Sequence, residues 1–249
     1  MPLYLREADV EELLAPADAV EAVEACFARI ARGVVENEPR HRLGLEAGRF
    51  HVMAAVDREL HRAGVKTYVG FAEGARFVVA LFSADEPELL ALIEADRLGQ
   101  LRTGAASAVA ARHLAKPGAR TLGLIGTGWQ AESQLACIRS ALPEIEQVVA
   151  YSRNEERLQE FCARHGCEPG EYNRDAAEQD VVVTITSSRD PVLRGEWLQP
   201  GALVCAAGAN RVEARELDNA VLERASFVCC DSLDQARIEA GDLVEPVER

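Results

Sequence analysis

The segment Thr121-Leu-Gly-Leu-Ile-Gly126-Thr127-Gly128-Trp129-Gln130-Ala131 is where residue types and spacing first suggest chemistry. An apolar run suited to a strand ends in Gly-x-Gly-x-x-Ala, and an amphipathic stretch follows. Gly126 permits a tight turn, Gly128 lets the backbone approach a pyrophosphate with no Cβ in the way, and Ala131 keeps the following helix close to a sheet. The bare amides and the dipole at that helix start are suited to hold phosphates. Glycines also make ordinary turns. Context favours a dinucleotide here, because a second apolar strand, Val148-Val-Ala-Tyr-Ser152, ends about 25 residues after Gly126. At the end of that strand an NAD site usually carries an acid for the ribose 2′-hydroxyl, whereas this chain has Ser152-Arg153-Asn154. Arg153 is suited to pair with a 2′-phosphate and Ser152 to add a hydrogen bond, so NADPH is expected ahead of NADH. The alternative is a solvated arginine at a helix start.

Elements must position these groups. From Arg120 onward, apolar runs (TLGLIG, QVVAYS, DVVVTIT, ALVCAAG, SFVCCD) alternate with amphipathic stretches, and helices are expected over 129–141 and 154–165. That rhythm implies βαβ units, hence a Rossmann-type doubly wound parallel sheet over 117–249. Residues 1–116 read as a separate N-terminal α/β region. It opens with a short strand and a helix in which Val20, Val23, Phe27 and Ile30 recur at helical spacing and Gly33 ends the pattern. The runs GRFHVMAAV, GVKTYVGF and ARFVVALF make 41–82 strand-rich. Residues 87–95 and 103–115 read as helices; the second is alanine-rich and suited to close packing. Pro117-Gly118 then marks the boundary.

With 48% hydrophobic and 27% charged residues, the 249-residue chain reads as an ordinary globular protein, and a net charge of −14 argues against a nucleic-acid partner. An odd count of seven cysteines suggests reduced thiols. The N-terminus carries acids and no signal-like run, and no apolar stretch reaches the roughly 18–20 residues that span a bilayer, so a cytoplasmic protein with no membrane partner is expected. Cys162 and Cys167 flank His165, but with no second cluster a helix-end loop is the better reading than a metal site. Cys229-Cys230 falls in an apparent strand and reads as a buried apolar pair. The acidic C-terminal stretch reads as a solvated face. His41, His51 and His61 are each candidates for acid–base work, and none is assigned.

Several further stretches, in order, carry a resemblance: Arg102-Thr103-Gly-Ala-Ala-Ser, Gly126-Thr-Gly-Trp-Gln-Ala131, Gly195-Glu-Trp-Leu-Gln-Pro-Gly201, Gly208-Ala-Asn-Arg with Arg215-Glu-Leu-Asp218, and Asp231-Ser with Gln235-Ala and Gly241-Asp242-Leu. From about residue 40 onward the chain resembles the ornithine cyclodeaminase/mu-crystallin family. The resemblance implies an N-terminal α/β region that binds substrate and forms a homodimer, followed by the dinucleotide domain. It implies an NAD(P)H-dependent reductase or dehydrogenase of small imino or amino acids. A cyclising ornithine lyase and a non-catalytic NADPH-binding, crystallin-like protein remain open.

Carried over by position, Arg42 and Lys66 match the family's substrate-binding arginine and lysine, with Arg40 a nearby rival for Arg42. The chemistry agrees, since an arginine fork holds a carboxylate bidentately and a desolvated lysine can give a proton to an imine. Both can also be surface charges. Arg102 matches a cofactor contact at the opening of a helix, and Thr103, Thr127 and Gln130 join the cofactor set. Thr186 and Ser187 match positions lining the nicotinamide, although each hydroxyl can instead serve a cap or turn. Asn210 stands where the cyclodeaminases carry a catalytic aspartate. An amide can hydrogen-bond substrate but cannot act as a carboxylate base, which favours reduction. The resemblance also implies a C-terminal return segment that completes the N-terminal region; the sequence ends at Arg249 without a match to it.

Overall fold

The computed structural model describes residues 1–71 and 74–247, with side chains up to Val244. The chain forms two compact units, 1–102 and 103–249, each with its own sheet.

The first unit runs β1 (Leu3–Leu5), α1 (Glu7–Leu13), α2 (Pro16–Ala31), β2 (Val35–Asn37), β3 (His41–Gly44), β4 (Arg49–Asp57), β5 (Arg62–Phe71), β6 (Gly74–Ser83) and β7 (Leu89–Glu94). Its sheet is ordered β1-β7-β6-β5-β4-β2, with β3 also paired to β4, and only β1–β7 is parallel. Register decides what the sheet presents. Arg42 pairs with His51, His51 with Tyr68 and Tyr68 with Phe77, while Met53 pairs with Lys66 and Lys66 with Val79. Because side chains alternate with period two, these residues share one face. At the far end of that face Arg29 of α2 ion-pairs with Asp57 at 2.6 Å.

Residues 89–94, expected within a helix, are instead β7. The run Leu-Leu-Ala-Leu-Ile-Glu is short and apolar, which periodicity cannot distinguish from a buried helix, and two neighbouring strands claim its backbone. The helix that follows, α3 (Asp96–Leu114), begins earlier than expected, so Arg102 lies inside it and not at its opening. Its start is fixed from afar: the Glu7 carboxylate accepts the N–H groups of Asp96 (2.5 Å) and Arg97 (3.0 Å), satisfying two first-turn donors.

The second unit contains β8 (Thr121–Ile125), α4 (Trp129–Ala141), β9 (Gln147–Tyr151), α5 (Glu155–His165), β10 (Glu168–Pro169), α6 (Asn173–Ala177), β11 (Val181–Thr184), a 3-10 turn (Gly195–Trp197), β12 (Leu203–Ala206), α7 (Asn219–Arg224), α8 (Leu233–Glu239) and α9 (Gly241–Val247). The sheet is parallel throughout, in the order β10-β9-β8-β11-β12. That is the third, second, first, fourth and fifth strand of the unit, the Rossmann order, with its reversal between β8 and β11. Leu122, Leu124 and Val181 to Val183 are completely buried, as strands covered on both faces require. The small residues of the alanine-rich stretch do pack closely. A Cβ on Gly104 would come within 2.2 Å of the Ser133 carbonyl of α4.

Two expectations fail at the C-terminal end. Ser226 to Asp231 is not a strand: Phe227 and Val228 are exposed, and Cys229-Cys230 is exposed, not a buried pair. A run of β-formers becomes a strand only where an edge pairs with it, and in the described residues this sheet stops at β12. The acidic C-terminal stretch, read from sequence as a solvated face, has a buried residue near its start, Asp242. Its side chains from Glu245 onward lie outside the described residues.

Candidate active site

At the reversal point of the parallel sheet, β8 runs into Gly126 at φ +113°, where its N–H donates to the Tyr151 carbonyl at 2.9 Å. Only glycine suits that backbone, and a Cβ there would also meet the Ile185 carbonyl at 2.5 Å. Helix α4 then begins behind Gly128 with no side-chain cap. Around Gly128 a Cβ would find no protein atom within 4 Å. The Thr127 hydroxyl is buried and has no hydrogen-bond partner among the described residues. Ala131 is completely buried. An uncapped helix start, open space before it and a polar atom without a partner fit the pyrophosphate of a dinucleotide. Next door, β9 ends at Tyr151. The Ser152 hydroxyl accepts the Asn154 N–H at 3.4 Å, Asn154 caps α5 through Arg157 N–H at 2.9 Å, and Arg153 between them is exposed.

The first unit carries a basic cluster on the sheet face set by register. His51, only 9% exposed, stacks flat on Tyr68 at 4.2 Å between ring centroids, and Tyr68 meets Phe77 at 4.5 Å. The Tyr68 hydroxyl accepts an Arg40 N–H at 2.9 Å. Lys66 Nζ sits 5.8 Å from the Tyr68 ring and 5.7 Å from the Phe77 ring. Burial, then Arg102 and Arg40, push the Lys66 ammonium down to about 7. Burial, then Arg40, Arg42, Arg49 and Lys66, push His51 down to about 4, so its ring is neutral at physiological pH. A lysine near neutrality inside an arginine-rich patch can bind an anion and exchange a proton with it.

The sequence model of the ornithine cyclodeaminase/mu-crystallin family matches residues 2–246. The chain belongs to this family. The match begins well before residue 40, so the N-terminal elements belong to it too. The alanine dehydrogenase of Archaeoglobus fulgidus is 34% identical over 94% of this chain and 75% of its own length. A Delta(1)-pyrroline-2-carboxylate reductase of Bacillus cereus is 36% identical over 82% of this chain, which spans 62% of that protein. Among solved structures, an archaeal alanine dehydrogenase dimer with bound NAD superposes with a TM-score of 0.89 at 32% identity, covering 96% of this chain and 77% of that one.

Within the family frame, the expected site residues fall into two groups. Gly126, Thr127, Gly128, Gln130 and Ala131 form the turn and the start of α4, and Thr186 and Ser187 follow β11. Thr103 lies in α3, where its carbonyl accepts from the buried Gln134 side chain at 3.4 Å. Asn210 is exposed in the loop after β12. Arg42 and Lys66 share the basic face with Arg40, and Arg102 is close enough to act on Lys66 electrostatically. Two groups were missed. Tyr68 orders the cluster, and the alternation His51/Met53 and Lys66/Tyr68 would have placed it there had the strand register been known. Glu216 is completely buried in the second unit and holds Thr186 through both its N–H and its hydroxyl, at 2.6 Å each. Only its place within Arg-Glu-Leu-Asp hinted at it.

Proposed function

We propose that this chain is a pyridine-nucleotide-dependent oxidoreductase acting on the C–N bond of a small imino or amino acid. The observation that carries the proposal is Lys66, a lysine desolvated and crowded by arginines until its ammonium titrates near 7. When bound, the nicotinamide supplies or accepts the hydride. The protein's share is positional and protonic. Arg42, with Arg40 held beside it by Tyr68, grips the substrate carboxylate through a charged fork. Lys66 keeps a proton at Nζ and delivers it to the imine nitrogen as the carbon is reduced; in the oxidative direction it takes that proton back. Asn210 offers a hydrogen bond to substrate and no carboxylate base.

NADPH is the preferred nucleotide in this reading, because Ser152-Arg153-Asn154 puts a cation and no acid at the end of β9. Arg153→Ala should lower the NADPH/NADH preference by about tenfold or more, the worth of a charged hydrogen bond. An unchanged ratio of Kd values would remove the argument. The odd number of cysteines favours reduced thiols and a cytoplasmic setting, and the dimer of the archaeal alanine dehydrogenase supports a homodimer here. No helix among the described residues is long and apolar enough to cross a membrane.

The direct test is loss of NADPH or NADH absorbance with pyrroline-2-carboxylate, piperideine-2-carboxylate, or pyruvate plus ammonia. Oxidation with any of these is expected. No turnover of any of them by protein that binds nucleotide tightly would leave a binding protein, and proline released from ornithine without net nucleotide consumption would make it a lyase.

A further inference from the structure

We propose that Glu216 is a positioning residue for the nicotinamide half of the nucleotide site, its buried carboxylate locking the ends of β11 and β12 together beside the Gly126 turn. The proposal rests on the dinucleotide reading above. One carboxylate oxygen accepts the Thr186 N–H and hydroxyl, both at 2.6 Å; the other accepts the Thr184 hydroxyl at 2.9 Å and the Gly208 N–H at 2.8 Å. Four donors fill both oxygens, and two of them are backbone N–H groups that cannot turn around to accept. Burial raises this carboxyl above the ordinary glutamate value, against the pull of the four donors.

Glu216 is itself held rigidly. Its own N–H and that of Leu217 donate to Asp242 at 2.7 and 2.8 Å, and its carbonyl accepts Val192 and Leu193 N–H at 2.8 and 2.9 Å. A buried carboxylate is an expensive way to fill space, since an apolar side chain packs without desolvation cost. What the carboxylate does that an apolar group cannot is hold the segment after β11 and the loop after β12 in one arrangement. Both lie at strand C-termini, the end where doubly wound sheets bind ligand. The held segment reaches the dinucleotide turn: a Cβ on Gly126 would meet Ile185 O at 2.5 Å and Thr186 Cγ2 at 3.1 Å. Thr186, whose hydroxyl donates to Glu216 and accepts Ser188 N–H at 3.1 Å, therefore lines the site by position and not as a free hydroxyl donor.

Glu216→Gln keeps shape and volume but aims an amide N–H₂ at a backbone N–H. In the full-length protein, binding of NADPH, NADH and ADP-ribose is measured by calorimetry, together with kcat for imine reduction. The expected result is ADP-ribose affinity within about twofold of wild type, pyridine-nucleotide affinity down tenfold or more, and kcat down tenfold or more, with Thr184→Ser, which keeps its hydroxyl, behaving as wild type. Should Glu216→Gln fail to fold, Thr184→Val removes one donor and carries the same readout more weakly. Equal loss of ADP-ribose and whole-nucleotide affinity would make Glu216 merely structural, and wild-type kcat with wild-type affinities would overturn the proposal outright. Wild-type protein that takes up neither nucleotide nor ADP-ribose overturns the dinucleotide reading, and this proposal with it.

Discussion

Lys66 is held at a cost. Its ammonium titrates near 7 when folded, against 10.5 for an ordinary lysine, so the folded state binds fewer protons than the unfolded chain between those values. Stability therefore rises with pH across that window, and the full penalty applies below about 7. Lys66→Met should raise stability at pH 6–7 by on the order of 1–3 kcal/mol, several degrees in Tm, while abolishing imine reduction. Calorimetric melting at pH 6 and pH 10 checks this, with the advantage shrinking toward pH 10; a lower Tm for the methionine variant would contradict it. The same titration governs rate. With the protonated amine as the proposed donor, kcat/KM for reduction should fall as pH rises through about 7, and the oxidative direction should show the opposite limb. A flat profile between pH 6 and 8 would separate Lys66 from the chemistry. Motif position points to Lys66 and Arg42, and the sheet register puts them on one face. His51 is one of three histidine candidates in the sequence, and only its stacking and burial single it out, while Tyr68 and the buried Glu216 depend on cross-strand register and on contacts between residues distant in the chain.

At the scale of elements, the nucleotide unit was the more legible half. Its strands are continuous apolar runs and its helices have local stop signals, so α4 was foreseen to the residue and α5 within one. The first unit was harder. β7 looked like a helix because five consecutive apolar residues carry no period of their own, and the true start of α3 depends on Glu7, 89 residues before Asp96 in sequence. A comparable long-range clasp closes the base of the Rossmann sheet. Asp180, just before β11, accepts the N–H groups of Arg120 and Thr121 at 2.8 and 3.1 Å and ion-pairs with Lys116 at 2.6 Å. Burial alone would raise this carboxyl, but Lys116 and the two backbone donors hold it at about 2. Its contribution is thus present above the ordinary aspartate value of 3.8 and is lost as pH falls toward 2. Asp180→Asn should cost about 2 kcal/mol at pH 7 and progressively less below pH 4. Urea midpoints at pH 7 and pH 3 measure this, and an equal loss at both would mean that the charge contributes nothing. Gly104→Ala tests the α3–α4 contact in the same assay. A backbone carbonyl 2.2 Å away cannot yield as a side-chain tip would, so a loss of several kcal/mol is expected.

The whole molecule poses a problem that neither the nucleotide cradle nor the basic cluster answers: what covers the other face of the first sheet. One face carries Arg42, His51, Lys66 and Tyr68. The opposite residues in the same register are Leu43 with Phe50, Val52 with Thr67 and Val78, and Val56 with Ala63 and Phe82. Leu43, Val78 and Phe82 are 59%, 42% and 39% exposed, and Ala54, Val56, Ala63, Val65 and Phe82 line an open groove across that face, with Glu36 and Glu38 at its edge. A largely apolar sheet face in water is costly for a monomer and marks an interaction surface. The net charge of −14 makes two copies repel at long range, so association must come from apolar burial and not from charge complementarity. We propose that a homodimer of this chain, inferred above from its dimeric relative, is joined through this face. Val78→Lys with Phe82→Glu should convert the protein to monomer in sedimentation equilibrium and weaken association at least a hundredfold, because charges would then have to be buried at the centre of the contact. The pyrophosphate cradle belongs to the other unit, so ADP-ribose binding should survive the change. A double variant that still sediments as a dimer would move the contact elsewhere, whereas loss of dimer and ADP-ribose affinity together would point to general unfolding.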